Sequence, residues 1–484
     1  MGVLRNRYVV NGLTAVGILT FLGLAGLVGY AWYDSRLPDT YSAMDYSILD
    51  YGGGPPQNHT QHPHLRVDRL TGPRNGTPDV RVTLTAARTG DAWAFNGRVP
   101  GPELRVRQGD LVEVTLVNRD IDDGVTIHWH GVDVPNAEDG VAGVTQDAVL
   151  PGGRYTYRFR AEQLGTFWYH SHQVGSEQVQ RGLYGAFVIA ARRLPAPGSL
   201  DATEIIHDFD GRPAFNEGQG LERRRVEPGT RVRLRLVNSN SSPERVTLTG
   251  TPFRVVAIDG TDLNGPTPIE GRTIELGAGA RYDLAFVMPQ VAVRLSVEGT
   301  DAAISFSRDG RTDLQPPPRL PVFDPSGYGR PKATIFDRAD FDRTFVMDVS
   351  KKIGFRDGRP GRHWAVNGEI FPETPMYVVR RGDLVKMRVE NQSGSVHPMH
   401  LHGHHLLVLS RNGTPTRGSP WWVDTLNVAD NEEYEVAFRA DNPGLWMDHC
   451  HNLPHARDGL TMHVMYEGVS TPFRVGGQAH NHPE

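Results

Sequence analysis

Four pairs of histidines, each pair separated by one residue, carry the densest chemistry in the chain: His128-Trp-His130, His170-Ser-His172, His400-Leu-His402 and His449-Cys-His451. In a strand, residues i and i+2 point to one face, so each pair presents two imidazoles side by side. Eight converging imidazoles can hold several metal ions. A chance surface doublet would explain any one pair; four of them, two early and two late in the chain, point to a metal cluster. Between residues 193 and 330 the only histidine is His207. Around the lone cysteine the pattern is sharper. The alternation that turns His449 and His451 to one side turns Cys450 to the other, so thiolate and imidazoles must serve different centres. His455 and His397 can complete a Cys plus two His set, the trigonal ligand group of an electron-transfer copper. One cysteine in 484 residues excludes an intramolecular disulfide and a zinc site of several thiolates.

Elements that alternate every two residues must position these pairs, and the chain repeats one such element three times. Gly109 to Asn118, Gly229 to Asn238 and Gly382 to Asn391 each run nine positions from Gly to Asn, with apolar residues at every second place between. The glycine supplies a turn, the alternation a strand with one buried face, and the asparagine an end. A second asparagine precedes each copy: Asn96, Asn216 and Asn367. With 54 Gly and 35 Pro spread along the chain, the fold class expected is all-β, three consecutive β-sandwich domains of one kind. The boundaries predicted are 78–192 for the first, 193–330 for a structural middle domain without ligands, and 331–470 for the third.

Ahead of them, Tyr8 to Tyr33 is 26 residues without a charge, preceded by Arg5 and Arg7. As a helix it measures about 39 Å at 1.5 Å per residue, against roughly 30 Å of bilayer hydrocarbon. Residues 1–34 are therefore expected to be a membrane anchor, or a signal segment if cleaved, with the arginines inside and the remainder on the outer side. Residues 35–77, with Gly52-Gly-Gly-Pro-Pro56 and His59-Thr-Gln-His-Pro-His64, read as a flexible tether, and 471–484, with His480 and His482, as a solvated tail. A net charge of −5 leaves no basic stripe for nucleic acid.

The four motifs His128-Trp-His-Gly131, Tyr169-His-Ser-His172, His397-Pro-Met-His-Leu-His-Gly403 and His449-Cys-His-Asn-Leu-Pro-His455 closely resemble the copper-binding motifs of three-domain multicopper oxidases, the laccase-like enzymes. The resemblance spans about residues 78 to 470. It implies three cupredoxin domains of the Greek-key type and four copper ions. His397, Cys450 and His455 would hold the type 1 copper, His128 and His400 the type 2 ion, and His130, His170, His172, His402, His449 and His451 the type 3 pair. Electrons from a small reducing substrate would enter at the type 1 copper, pass through Cys450 to His449 and His451, and reduce dioxygen to water. Asp139 matches an acid that the family places near the type 2 copper to deliver protons. Where several members carry an acid after the last type 1 histidine, this chain has Ala456, with Asp458 the only substitute nearby. The axial position falls on Leu460, which cannot coordinate and so implies a raised reduction potential. Met462 reads as core.

A phenolic or other aromatic donor is the substrate expected, with Trp421 or Trp422 of Gly418-Ser-Pro-Trp-Trp-Val-Asp424 at the type 1 rim, or else both in the core. Oxidation of Cu(I), Fe(II) or Mn(II) is the alternative, although the 10 methionines are scattered instead of forming a cuprous-ion trap. A non-enzymatic copper carrier would need only the type 1 set, and a two-domain nitrite reductase only three type 2 histidines.

Overall fold

The computed structural model describes residues 2–55, 65–192, 197–209, 211–337 and 339–484. It opens with a helix, Gly2–Asp34, of which Leu13–Asp34 has a mean hydropathy of 1.9 and leaves its apolar side chains exposed. That length and composition suit a membrane span, and equally a signal sequence.

Among the described residues the remainder is mostly strand, and the larger sheets are arranged as three pairs. In the first pair, Val80–Thr89, Ala92–Phe95, Leu111–Asn118 and Arg154–Arg160 face Leu104–Arg107, His128–His130, Gly165–His170 and Tyr184–Ala190. Between them lies a core that includes Leu84, Val114, Leu116, Trp129, Phe159 and Phe187, all fully buried. A seven-stranded and a five-stranded sheet form the middle pair, and an eight-stranded and a six-stranded sheet the last. These are cupredoxin-like sandwiches, and the three Gly-to-Asn segments occupy one equivalent place in them. Leu111–Asn118, Arg231–Asn238 and Leu384–Asn391 each pair parallel with the first long strand of their unit and antiparallel with a later one, Arg154–Arg160, Arg281–Val287 and Glu433–Arg439. The alternation fixes the register, since a slip of one residue would turn Val112, Val114 and Leu116 outward.

The asparagines recur in kind. Asn118, Asn238 and Asn391 are fully buried, and each side-chain amide donates to backbone carbonyls of the loops above its strand. Asn96, Asn216 and Asn367 all sit at φ 53°, where asparagine is tolerated better than most residues. Each clips the first strand of its unit through a pair of side-chain bonds, for example to Thr83 O and Thr85 N from Asn96.

Two expectations are corrected. The segment around 35–77 is no free tether: Ile48–Asp50 extends the sheet of the third unit beside Pro375–Val379, Leu65–Arg66 pairs with Val469–Ser470, and Thr40–Tyr41 pairs with Val475–Gly476. The histidines at 59, 62 and 64 lie outside the described residues. The tail keeps its His480 and His482 side chains exposed, yet it is docked through its backbone and Asn481. Asn481 is buried and accepts from Ala148 N at 2.8 Å, His482 O accepts from Val174 N at 3.0 Å, and His480 O accepts from Gln173 Nε2 at 2.7 Å. Both segments are polar and rich in Gly, Pro and His, but their backbone groups find partners on the sandwiches.

Candidate metal centres

Two antiparallel strand pairs carry five of the paired histidines, and His172, His402 and His451 lie just past the ends of those strands. His170 lies opposite His128 and Trp168 opposite His130 in the first sandwich; in the third, His400 lies opposite His449 and Met399 opposite Cys450. Trp129, between the first pair, turns into the core as alternation demands. The two strand pairs face each other, so imidazoles from both ends of the chain meet. Ring nitrogens of His130, His170 and His451 lie within 4.8 Å of one another, as do those of His172, His402 and His449, and those of His128, His130 and His400. All are buried, and burial followed by neighbouring imidazoles pushes His130, His170, His400, His402 and His451 well below the ordinary histidine range. Neutral rings are the ligand form.

Hydrogen bonds settle which nitrogen is free. Nδ1 of His128, His400, His170 and His449 donates to the backbone carbonyls of Asp139 (2.9 Å), Asp424 (2.9 Å), Ser171 (3.0 Å) and Cys450 (3.1 Å), and Nδ1 of His172 donates to Pro483 O. The Nε2 lone pairs therefore point inward at one another: His128 to His400 at 3.4 Å, His172 to His449 at 3.3 Å and His402 to His449 at 3.2 Å. Acceptors facing acceptors in a dry interior repel unless a cation lies between them. Both ring nitrogens of His451, Nε2 of His170 and Nδ1 of His130 have no protein partner among the described residues. His130 is held the other way round, its Nε2 facing Asp424 Oδ1 (3.2 Å) and Thr425 Oγ1 (2.9 Å). Such a nitrogen-rich, oxygen-poor pocket suits copper.

On the far side of the 445–450 strand, Cys450 Sγ lies 3.5 Å from His397 Nδ1 and 3.8 Å from His455 Nδ1, and those two nitrogens are 3.3 Å apart. Metal–nitrogen bonds of about 2.0 Å and a metal–sulfur bond of about 2.3 Å, arranged trigonally, would give edges of roughly 3.5 Å, so the triangle fits one ion. His397 Nε2–H donates to Ser393 Oγ at 2.6 Å, which frees Nδ1. His455 is set by a short helix, Leu453–Arg457, capped by the Asn452 side chain. Leu460 is fully buried beside them, its N–H bonded to His455 O (2.9 Å) and its carbonyl to Cys450 N (3.0 Å). Burial alone pushes the Cys450 thiol up, so a cation is needed to favour its thiolate.

Asp139 follows a one-turn 3-10 segment, Asn136–Glu138, and is buried against the cluster with its carboxylate 3.1 Å from both His402 Nδ1 and His128 Nδ1. Met462 is core. Asp458 is half exposed beside Arg356 (3.9 Å) and Arg457 (3.7 Å), and among the described residues it has no ion pair with a histidine of the cluster. The tryptophan expectation fails at the rim. The core alternative holds: Trp421 is buried against Tyr434 and Trp422 packs tilted against Phe336, because the Trp422–Val423 strand pairs with Leu406–Arg411 on the other sheet. The aromatic that does meet the Cys450 centre is Trp364, with ring centroids 4.8 Å from His397 and 4.4 Å from His455. Sequence reasoning also missed Asp424, which binds Arg281 through both oxygens at 2.6 Å while facing His130, and Ser393. Asp424 is brought in from a distant part of the chain, and Ser393, four residues before His397, lies in a loop that carries no periodic pattern.

Three stretches match family models described as multicopper oxidase: residues 78–193, 168–295 and 345–469. The multicopper oxidase MmcO of Mycobacterium tuberculosis is 26% identical over 77% of this chain and 82% of its own length. Laccase-1 of Melanocarpus albomyces is 28% identical over 89% of this chain and 81% of its own. Among solved structures, a multi-copper oxidase of Pseudomonas thermotolerans superposes with a TM-score of 0.65 at 29% identity, covering 81% of this chain and all of that one. Fet3p, described as a multicopper oxidase that functions in iron import, superposes at 0.69 with 20% identity over 81% of this chain and 91% of its own, a likeness of fold. With the histidine motifs inside the matched stretches, this chain belongs to the multicopper oxidases and is a copper oxidoreductase that uses dioxygen.

Proposed function

We propose that the chain is a laccase-like oxidase with four coppers: type 1 at His397, Cys450 and His455, type 2 at His128 and His400, and a type 3 pair at His130, His170 and His451 and at His172, His402 and His449. Its donor would be a phenol or related aromatic, and its anchor would be the Gly2–Asp34 helix, with the sandwiches outside the cytoplasm. The observation that carries this reading is the tripeptide 449–451, whose thiol and imidazoles face opposite centres on one strand. Copper bound in these sets supplies one-electron oxidation of the donor and reduction of dioxygen to water.

The chain's own residues supply the rest. Cys450 is covalently continuous with His449 and His451, a path of a few bonds between the two centres. Asp139, buried between His128 and His402, is placed to hold or pass a proton at its carboxylate oxygens as oxygen is reduced. The sandwich walls exclude water from the imidazoles.

Copper content and oxygen uptake by the full chain test the reading. Four coppers per chain, with rapid uptake on a phenol or aromatic diamine and no peroxide, are the expected result. One copper would indicate a carrier. Uptake with Fe(II), Mn(II) or Cu(I) but not with phenols would make it a metal-ion oxidase.

A further inference from the structure

The histidine edge nearest the surface at the Cys450 centre belongs to His455, and Trp364 covers it. Trp364 lies in a long hairpin, Arg343–Arg356 with Arg359–Val366, directly opposite Lys351. The Lys351 ammonium sits 4.2 Å from the centroid of the Trp364 ring. Among the described residues no carboxylate lies within ion-pair distance of it, whereas the adjacent Lys352 is paired with Glu369 at 3.0 Å.

The surrounding hairpin is cationic. Residues 351 to 364 include Lys351, Lys352, Arg356, Arg359 and Arg362 against the single carboxylate of Asp357, in a chain whose net charge is −5. Asp357 does not screen the site, because it is turned to the far end of the hairpin, where Leu37 N donates to its Oδ1 at 3.2 Å. Gly358 N donates to Ser35 Oγ at 3.1 Å, so the tip is pinned as well. An aromatic face beside a metal-centre histidine, with an unpaired ammonium over it, accepts a flat donor of negative charge and repels a metal cation.

We propose that the Trp364 and Lys351 surface is the donor-binding site, and that it takes anionic aromatics: phenols carrying a carboxylate or sulfonate, with Trp364 stacking the ring and Lys351 binding the charge. This rests on the laccase-like reading and narrows its substrate class. Each phenol loses one electron and its hydroxyl proton to become a phenoxyl radical. Four such oxidations release the four electrons and four protons that turn one dioxygen into two waters.

The test compares a hydroxycinnamate with its methyl ester, two phenols of one ring differing by a charge, as donors for the copper-loaded full chain. The expected kcat/KM for the acid exceeds that for the ester at least fivefold in the native protein. Lys351→Glu should reverse the preference and Lys351→Gln abolish it, while the blue absorption persists. Trp364→Leu should raise KM for both. A second readout is independent of turnover: calorimetric binding of the redox-inert hexacyanocobaltate(III) anion, expected for the native protein and lost in Lys351→Glu, with hexaamminecobalt(III) as the cationic control. Equal kcat/KM for acid and ester in the native protein, the same factor of change for both in Lys351→Glu, or anion binding that survives the reversal would each overturn the proposal. Failure of phenol turnover with anion binding intact would instead strike the laccase-like reading.

Discussion

At the Cys450 centre the decisive residue is one that does nothing chemically. Leu460 is fully buried in the same apolar core as Cys450 and is tied by backbone bonds to Cys450 and His455, so the residue at the expected axial place brings hydrocarbon and no donor. A trigonal set without a fourth donor favours the reduced ion, because the oxidised one gains more from an added ligand. Leu460→Met is therefore expected to lower the reduction potential, by about 59 mV for each tenfold change in the one-electron equilibrium. A redox titration of the blue absorption checks this, and a potential unchanged or raised would remove Leu460 from the axial place. The ligand residues themselves were legible in the sequence because period-two alternation reports side-chain direction without any knowledge of the fold. Trp364, Ser393 and Asp424 were not. Trp364 and Asp424 reach the centres from segments far off in the chain, Ser393 is a lone residue in the loop before His397, and the tryptophans expected at the rim, Trp421 and Trp422, are spent on packing.

Among the elements, the Gly-to-Asn strand shows why a repeat could be read at all. Its alternation makes one buried face, and its terminal asparagine performs one task three times, tying the loop that follows to the neighbouring strand. In the third copy that loop leads to the metal centre. Asn391 donates to Ser395 O (2.7 Å) and Val428 O (2.9 Å), and between Asn391 and His397 lies Ser393, which orients the His397 ring. Asn391→Ala would leave two carbonyls without their donor, at about 1 to 3 kcal/mol for each that stays dry. The expected result is a loss of about 2 to 4 kcal/mol in chemical denaturation, with a broadened or shifted blue absorption. The equivalent Asn118→Ala should cost similar stability and leave the absorption alone, since its loop carries no ligand of the Cys450 centre. Equal spectral effects in the two variants would show that the asparagine acts only on the fold. Sequence pattern thus reports what each strand does, while the order in which sheets join, and which loops they bring together, comes from packing between units.

On the scale of the whole molecule, the segments that read as loose ends are clasps. The residues after the N-terminal helix and the last residues of the tail meet as a strand pair at Thr40 and Gly476, and the tail then crosses to the first sandwich, where Pro483 O accepts a hydrogen bond from His172 Nδ1. Polar composition concealed this, because the partners are backbone amides that no motif marks. The arrangement makes tail docking sensitive to pH. Burial raises the Glu484 carboxyl to about 7, with Asp458 adding to that and Arg457 and Arg356 opposing it. A released tail would titrate near 4.3, the ordinary value for glutamate. The docked form thus binds the proton more tightly: docking is fully stabilised below about 4.3, weakens as pH rises towards 7, and is constant above that. The Val174 and Gly175 amides, bonded to His482 O and Glu484 O, report it directly. Their protection from hydrogen exchange, corrected for intrinsic rate, is expected to fall at least tenfold between pH 5 and pH 8, and in Glu484→Gln to stay level. Protection that is level in the native chain would mean that the carboxyl does not govern docking. A fall that persists in Glu484→Gln would assign it to another group, and the supply of carbonyl acceptors to His172 would then be independent of the tail's charge.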